Sequence, residues 1–269
     1  MIKTLPFLLL GALLCCMMSC GDPIAKEKNL DTVRFHYLAE TEFFQIQQMF
    51  TNIYQSQDTS ETLNPFCVGS QIFQYESSDS LFTEIDFGDG CNCQDGRLRQ
   101  GKLISSSPLA AGSEEIQLQL FADHYSFTHT DGNLYQVDFI YQISFGEPES
   151  PLSITSKISR AVFSNLNGTF FWKGNFLSKP AQLTDDPELG FQGWHLSGTA
   201  SLKDERGHES HANTISPLIY RDGCSQPVSG IVSMSSPQQQ GRIIDFGQGE
   251  CDHLARVQIG VFSASLPLP

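Results

Sequence analysis

From about residue 65 onward, apolar and polar positions alternate in short runs. The clearest run is 135–145. Tyr135, Val137, Phe139, Tyr141, Ile143 and Phe145 take one parity, and Gln136, Asp138, Gln142 and Ser144 the other, with Ile140 the exception. A period of two sends successive side chains to opposite faces, so this run predicts an antiparallel strand with one buried face. Asp131-Gly132-Asn133 before it is a hairpin turn signal, and Ile116, Leu118 and Leu120 beyond that turn alternate as well. Asn167-Gly168 separates 161–166 from 169–177 as a second hairpin. Asp204-Glu205-Arg206-Gly207 lies between 194–202 and 212–220 as a third. The runs 231–235, 242–246 and 255–262 supply the last strands. One stretch ahead of them has helical spacing instead, with Phe43, Phe44, Ile46, Met49, Phe50, Ile53 and Tyr54 between Thr41-Glu42, a plausible start, and Gln55. The pattern predicts a helical segment over 34–60 and a single antiparallel β domain over 61–265. The class is all-β, with roughly 10–14 short strands preceded by one helix. A sandwich, an open barrel and a long twisted meander all satisfy it.

The N-terminus has a different grammar. Met1-Ile2-Lys3 is a short basic start, and 5–14 is apolar apart from Pro6 and Gly11. That run is shorter than the roughly 20 residues of a membrane span and has the layout of an export signal. Ser19, a small residue, stands directly before Cys20, and polar sequence follows. The arrangement resembles a bacterial lipobox, which implies lipidation of Cys20, removal of 1–19 as a signal peptide and a polar tether over 20–33. Several acyl chains on one cysteine anchor stably where a single chain does not. Gly21 in place of aspartate after Cys20 leaves out the inner-membrane retention signal, so the expected address is the outer membrane. The helical segment lacks the Lys and Arg of a membrane-surface helix, and packing onto the β domain is the expectation for it.

Composition narrows the reading. Hydrophobic residues are 40% of the chain and Phe alone contributes 20, enough for a real core. The formal net charge of −14 repels phosphate and argues against nucleic acid as a partner.

The eight cysteines carry the most specific feature. One segment runs from Cys67 to Ile85-Asp86-Phe87-Gly88-Asp89-Gly90-Cys91. Another runs from Cys224 to Ile244-Asp245-Phe246-Gly247-Gln248-Gly249-Glu250-Cys251. A cysteine before one strand and another after the next brings the two ends of a hairpin side by side. The glycines permit a positive-φ turn past the strand, and an exported compartment permits oxidation. The expected disulfides are Cys67–Cys91 and Cys224–Cys251, in two related hairpin units, 67–91 and 224–251. Cys93 is left over, as an alternative partner of Cys67 or as a free thiol.

These paired turns resemble a family of uncharacterised Bacteroidota cell-envelope lipoproteins. The shared features are the lipobox, an N-terminal helical stretch, Asp86 to Cys91 followed by Asp95-Gly96-Arg97-Leu98-Arg99-Gln100-Gly101-Lys102, and Cys224 to Gly230 followed by Asp245 to Asp252. The resemblance implies an envelope lipoprotein and no established activity. Cys93 and the tail 263–269 depart from it.

No chemistry stands out among the remaining residues. Asp-Phe-Gly lacks the kinase catalytic and glycine-rich loops. Asp86, Asp89, Asn92 and Asp95 offer oxygens to calcium, but the spacing is not that of an EF-hand, and solvated turn-capping acids beside Arg97 and Arg99 are the plainer expectation. His208 and His211 are three apart, where the metalloprotease helix needs four. Phe170, Trp172 and Phe176 share one strand face, either as a sugar-stacking shelf or as core. The expectation is a non-enzymatic, lipid-anchored envelope protein of structural or binding role, without cofactor or metal. Its partners would be the membrane and a glycan or envelope protein. A subunit of an envelope complex and a carbohydrate-active hydrolase with unassigned carboxylates are the alternatives.

Overall fold

The computed structural model describes 23–55, 67–109, 116–129, 132–146, 152–183 and 192–268, with helix side chains from Leu30 onward. The signal segment, Cys20 and 56–66 lie outside the described residues. Helix α1 spans Pro23–Gln55. Fourteen strands follow: β1 Gln71–Ser77, β2 Ser80–Asp86, β3 Cys91–Asn92, β4 Leu98–Pro108, β5 Ile116–Thr128, β6 Leu134–Phe145, β7 Ile154–Asn165, β8 Gly168–Ala181, β9 Gly193–Asp204, β10 Glu209–Arg221, β11 Pro227–Ser236, β12 Gln239–Gln248, β13 Leu254–Ile259 and β14 Phe262–Pro267. Each described strand pairs antiparallel with its neighbour in sequence, apart from β3, which flanks β4 while β2 pairs with β4 directly. The result is one long meander, open between its edge strands β1 and β14.

The start of α1 moves one boundary: the helix expected from residue 34 begins at Pro23, so the described part of the stretch 20–33 is helical. Polarity alone does not break a helix. Lys26, Glu27 and Lys28 are good helix formers, and no glycine or further proline occurs before Gln55. Proline at the first helical position has its φ already set for a helix, and its missing N–H costs nothing there.

Helix α1 is the inner layer. From Val33 to Ile53 it is buried on most faces, with a less buried stripe along Gln45, Gln48, Asn52 and Gln55. The curled sheet encloses it, polar His36, Thr41, Glu42, Gln47 and Thr51 included. Phe43 stacks on Trp172 of β8 at 5.3 Å and meets Phe139, Tyr141 and Phe163 edge-on. Phe44 stacks on Tyr220 of β10 at 3.9 Å, and Tyr37 reaches Phe246 of β12.

The alternation in 135–145 appears in β6 as read, and Ile140 points outward with 44% of its surface exposed. Strand β5 changes parity midway. Leu118 and Leu120 point inward before a bulge at Asp123–His124, and Tyr125 and Phe127 after it. Gly101 of β4 sits opposite that bulge at φ +77°, where a Cβ would lie 2.3 Å from the His124 carbonyl oxygen. The expected strand 255–262 is two strands, because Gly260 at φ +58° turns the chain between β13 and β14.

Candidate functional site

The two cysteine units fold alike. Each is a hairpin, β1–β2 or β11–β12, whose second strand leads into Asp-Phe-Gly-x-Gly; β2 ends at the aspartate, whereas β12 runs on to Gln248. Asp86 Oδ1 accepts the Gly88 N–H at 2.8 Å, and Asp245 Oδ1 accepts the Gly247 N–H at 2.9 Å. Phe87 and Phe246 are buried, and Gly88, Gly90, Gly247 and Gly249 all have positive φ. The motif is thus a turn device: the aspartate closes a local ring, the phenylalanine enters the core and the glycines take a left-handed backbone.

Cys224 and Cys251 are bonded as expected, with Cα atoms 6.1 Å apart. The expected Cys67–Cys91 pair is corrected to Cys67–Cys93, with Cα atoms 3.8 Å apart, and Cys91 is a free buried thiol. The backbone explains the choice. Cys91 belongs to β3, opposite Arg99, whereas Cys93 lies one step past that strand in a bridge with Cys67.

The Asp95–Lys102 motif also builds structure. Arg97 and Arg99, expected as neighbours of solvated acids, are buried, and they reach Glu42 in the middle of α1. Glu42 accepts from Arg97 Nη1, from Arg99 Nη2 at 3.2 Å and from the Tyr125 hydroxyl. Arg99 also grips Asp95 with two bonds of 2.7 and 2.8 Å. Burial works against the Asp95 carboxylate, but the charge and hydrogen bonds of Arg99 hold it below the usual carboxylate range. Lys102 binds Glu84 at 2.6 Å and Asp86 at 3.2 Å. Asp86 and Asp95 are therefore committed to backbone and cations. Among the described residues, the one cluster of three potential metal-ligating side chains is Cys67, Cys91 and Cys93, not the acids or His208 and His211.

With the motifs accounted for, the candidate ligand site lies elsewhere, at the end of the sheet where the N-terminal half of α1 emerges. Two cavities of about 420 and 620 Å³ adjoin there and share Asp31, Phe35, Asn165 and Asn167. Phe35 is half-buried and stacks on Phe170 at 4.6 Å. The turns β7–β8, β9–β10 and β11–β12 contribute Thr169, Asp204, Glu209 and Gln239 to the rim. Arg34, His129 and Tyr135 line the second cavity. The candidate shelf of Phe170, Trp172 and Phe176 is core instead, with Trp172 wholly buried, and Phe35 is the accessible ring.

Ser210 also lines this mouth, beside the buried His36. Trp172 Nε1 is only a donor, and it bonds His36 Nδ1 at 3.3 Å. The proton of neutral His36 therefore sits on Nε2, which donates to Ser210 Oγ at 2.9 Å. Burial pushes the imidazole down to about 3, so the ring is neutral. A histidine donating to serine cannot take the serine proton, so the pair lacks the arrangement of an activated nucleophile. Asp204 spends its oxygens on the Arg206 and His208 N–H groups and on His208 Nδ1. Partial burial raises its carboxyl, but those bonds hold it below the ordinary value.

Comparison of the chain with protein-family models, curated proteins and solved structures finds no match. No helix among the described residues is long and apolar enough to cross a membrane.

Proposed function

We propose that the chain is a lipid-anchored protein of the cell envelope, held in the outer membrane through Cys20, whose role is binding rather than catalysis and whose ligand class is a glycan. The observation that carries this reading is the mouth beside Phe35. It combines one accessible aromatic ring with amides and carboxylates from three turns, a lining suited to the apolar face and hydroxyl edge of a sugar. Asp204, held below its ordinary value, is an ionised acceptor at the mouth. Glu40, the carboxyl pushed up to about 7, accepts from Tyr220 away from the mouth's lining. Together they favour binding over hydrolysis, which needs a carboxylic acid kept protonated there near neutral pH. Helix α1 starts just after Cys20, and about 12 Å of helix separates Pro23 from Asp31. With Cys20 acylated, this spacing supports a mouth near the anchored end, where it would meet glycans close to the bilayer.

Two measurements test this. Cys20→Ala should move the protein from the membrane to the soluble fraction, and unchanged fractionation refutes the anchor. On an array of envelope polysaccharides, Phe35→Ala should weaken retention roughly tenfold, the scale of losing a central aromatic contact. Equal retention of both proteins removes the mouth as the site. A second reading, a subunit of an envelope complex, is favoured by strand β1, an edge among the described residues, with Phe73 and Tyr75 45% and 46% exposed.

A further inference from the structure

The sulfurs of Cys67, Cys91 and Cys93 all lie within 4.8 Å of one another in a buried cluster. One thiol and one disulfide in such proximity are reactants for exchange. The register of the two units does not single out one partner: Cys251 follows Asp245 by six positions, whereas Cys91 and Cys93 follow Asp86 by five and seven. Cys67 thus has two sulfurs within reach, Cys93, to which it is bonded, and Cys91, which is free.

The choice of partner changes a surface. Cys93 lines a cleft of about 240 Å³ between the Gln45–Gln48–Asn52 stripe of α1 and the β10–β11 turn, and Cys224 lines its opposite side. Cys91 does not reach that cleft.

We propose that Cys91 exchanges with the Cys67–Cys93 disulfide, and that the resulting Cys67–Cys91 isomer presents a Cys93 thiol to the cleft as a site for soft electrophiles or external disulfides. The step balances without an added oxidant. The Cys91 thiol gives its proton to solvent, and its sulfur attacks Cys67 Sγ. The Cys67–Cys91 bond forms as the Cys67–Cys93 bond breaks, and Cys93 leaves as a thiolate that takes up a proton. One disulfide and one thiol are present before and after. Burial raises the Cys91 thiol, with the Arg99 charge opposing, so the thiolate is scarce at neutral pH and exchange should accelerate with alkalinity.

The test uses the whole oxidised protein, incubated at pH 7, 8 and 9. Samples are acid-quenched, unfolded, labelled with N-ethylmaleimide and mapped by non-reducing mass spectrometry. Label is expected on both Cys91 and Cys93, approaching a constant ratio about tenfold faster per pH unit below the thiol pKa. Cys91→Ala should abolish labelling at Cys93, and Cys93→Ala treated with oxidised glutathione, which takes up the two electrons as it is reduced, should form Cys67–Cys91. Label on Cys91 alone at every pH and time overturns the proposal, and this wild-type map decides the matter even where Cys93→Ala does not fold. The readout does not depend on Cys20 or on glycan binding.

Discussion

Glu42 shows how much one residue can hold. It is fully buried in the middle of α1 and accepts from two guanidinium groups and one phenol, all on β4 and β5 or the turn before them. With Asp95, the cluster balances two positive and two negative charges. Such a cluster adds little over apolar packing, but removing one member strands the others in a low-dielectric interior, at a cost of about 3–5 kcal/mol. Glu42→Ala should therefore lower the melting temperature by roughly 6–20 °C for a chain of this size. Glu42→Gln, which keeps the shape and an acceptor, should fall between it and wild type. Circular-dichroism melts check this, and a Glu42→Ala midpoint within about 2 °C of wild type would mean that the cluster does not clamp helix to sheet. The sequence offered no route to this pairing. Arg97 and Glu42 are 55 positions apart, and an acid inside a helical stretch reads as a solvated face until the sheet is seen to surround it.

At the scale of elements, legibility followed the period. Strand β6 was readable to the residue because the bulges along it fall on its partners, β5 and β7, and its own alternation runs unbroken. Strand β5 was readable only up to its bulge, where the switch that aims Tyr125 at Glu42 depends on Gly101 of the neighbouring strand. The β13–β14 turn was hidden because Val261 and Phe262 are apolar yet exposed, 92% and 67%, so composition did not mark it as a turn. The start of α1 was hidden by its charges, although Pro23 was a signal for it. The two hairpin units were legible as a repeat. The partner of Cys67 was not, since Cys91 and Cys93 are two positions apart and both face Cys67. The mouth left no motif at all, because its residues come from separate turns and from α1, and only the curl of the sheet assembles them.

The enclosure of α1 also sets how the whole molecule responds to pH. Two titratable side chains on α1 are displaced in opposite directions by the same burial. His36 is pushed down to about 3 from 6.5. Glu40 is pushed up to about 7 from 4.5, with the Tyr220 hydroxyl, 3.3 Å away, pulling the other way. Stability rises with pH wherever the unfolded chain binds more protons than the folded one. Between pH 4.5 and 6.5 the unfolded chain holds a proton on His36 and none on Glu40, and the folded chain the reverse, so the two slopes cancel. Below that window only the His36 imbalance survives, and Asp86 and Asp95, both held low in the fold, add to it as pH falls through their unfolded values. Above it, the contribution of neutral Glu40 is lost as pH passes about 7. Wild-type stability should therefore be nearly flat from pH 4.5 to 6.5 and fall on the acid side. Glu40→Gln keeps an acceptor for Tyr220 but removes one of the opposing slopes. Its stability should climb across that window by up to about 3 kcal/mol, one proton over two pH units. Urea unfolding at a series of pH values separates the cases, and parallel profiles for the two proteins would mean that Glu40 is ionised inside the folded sheet.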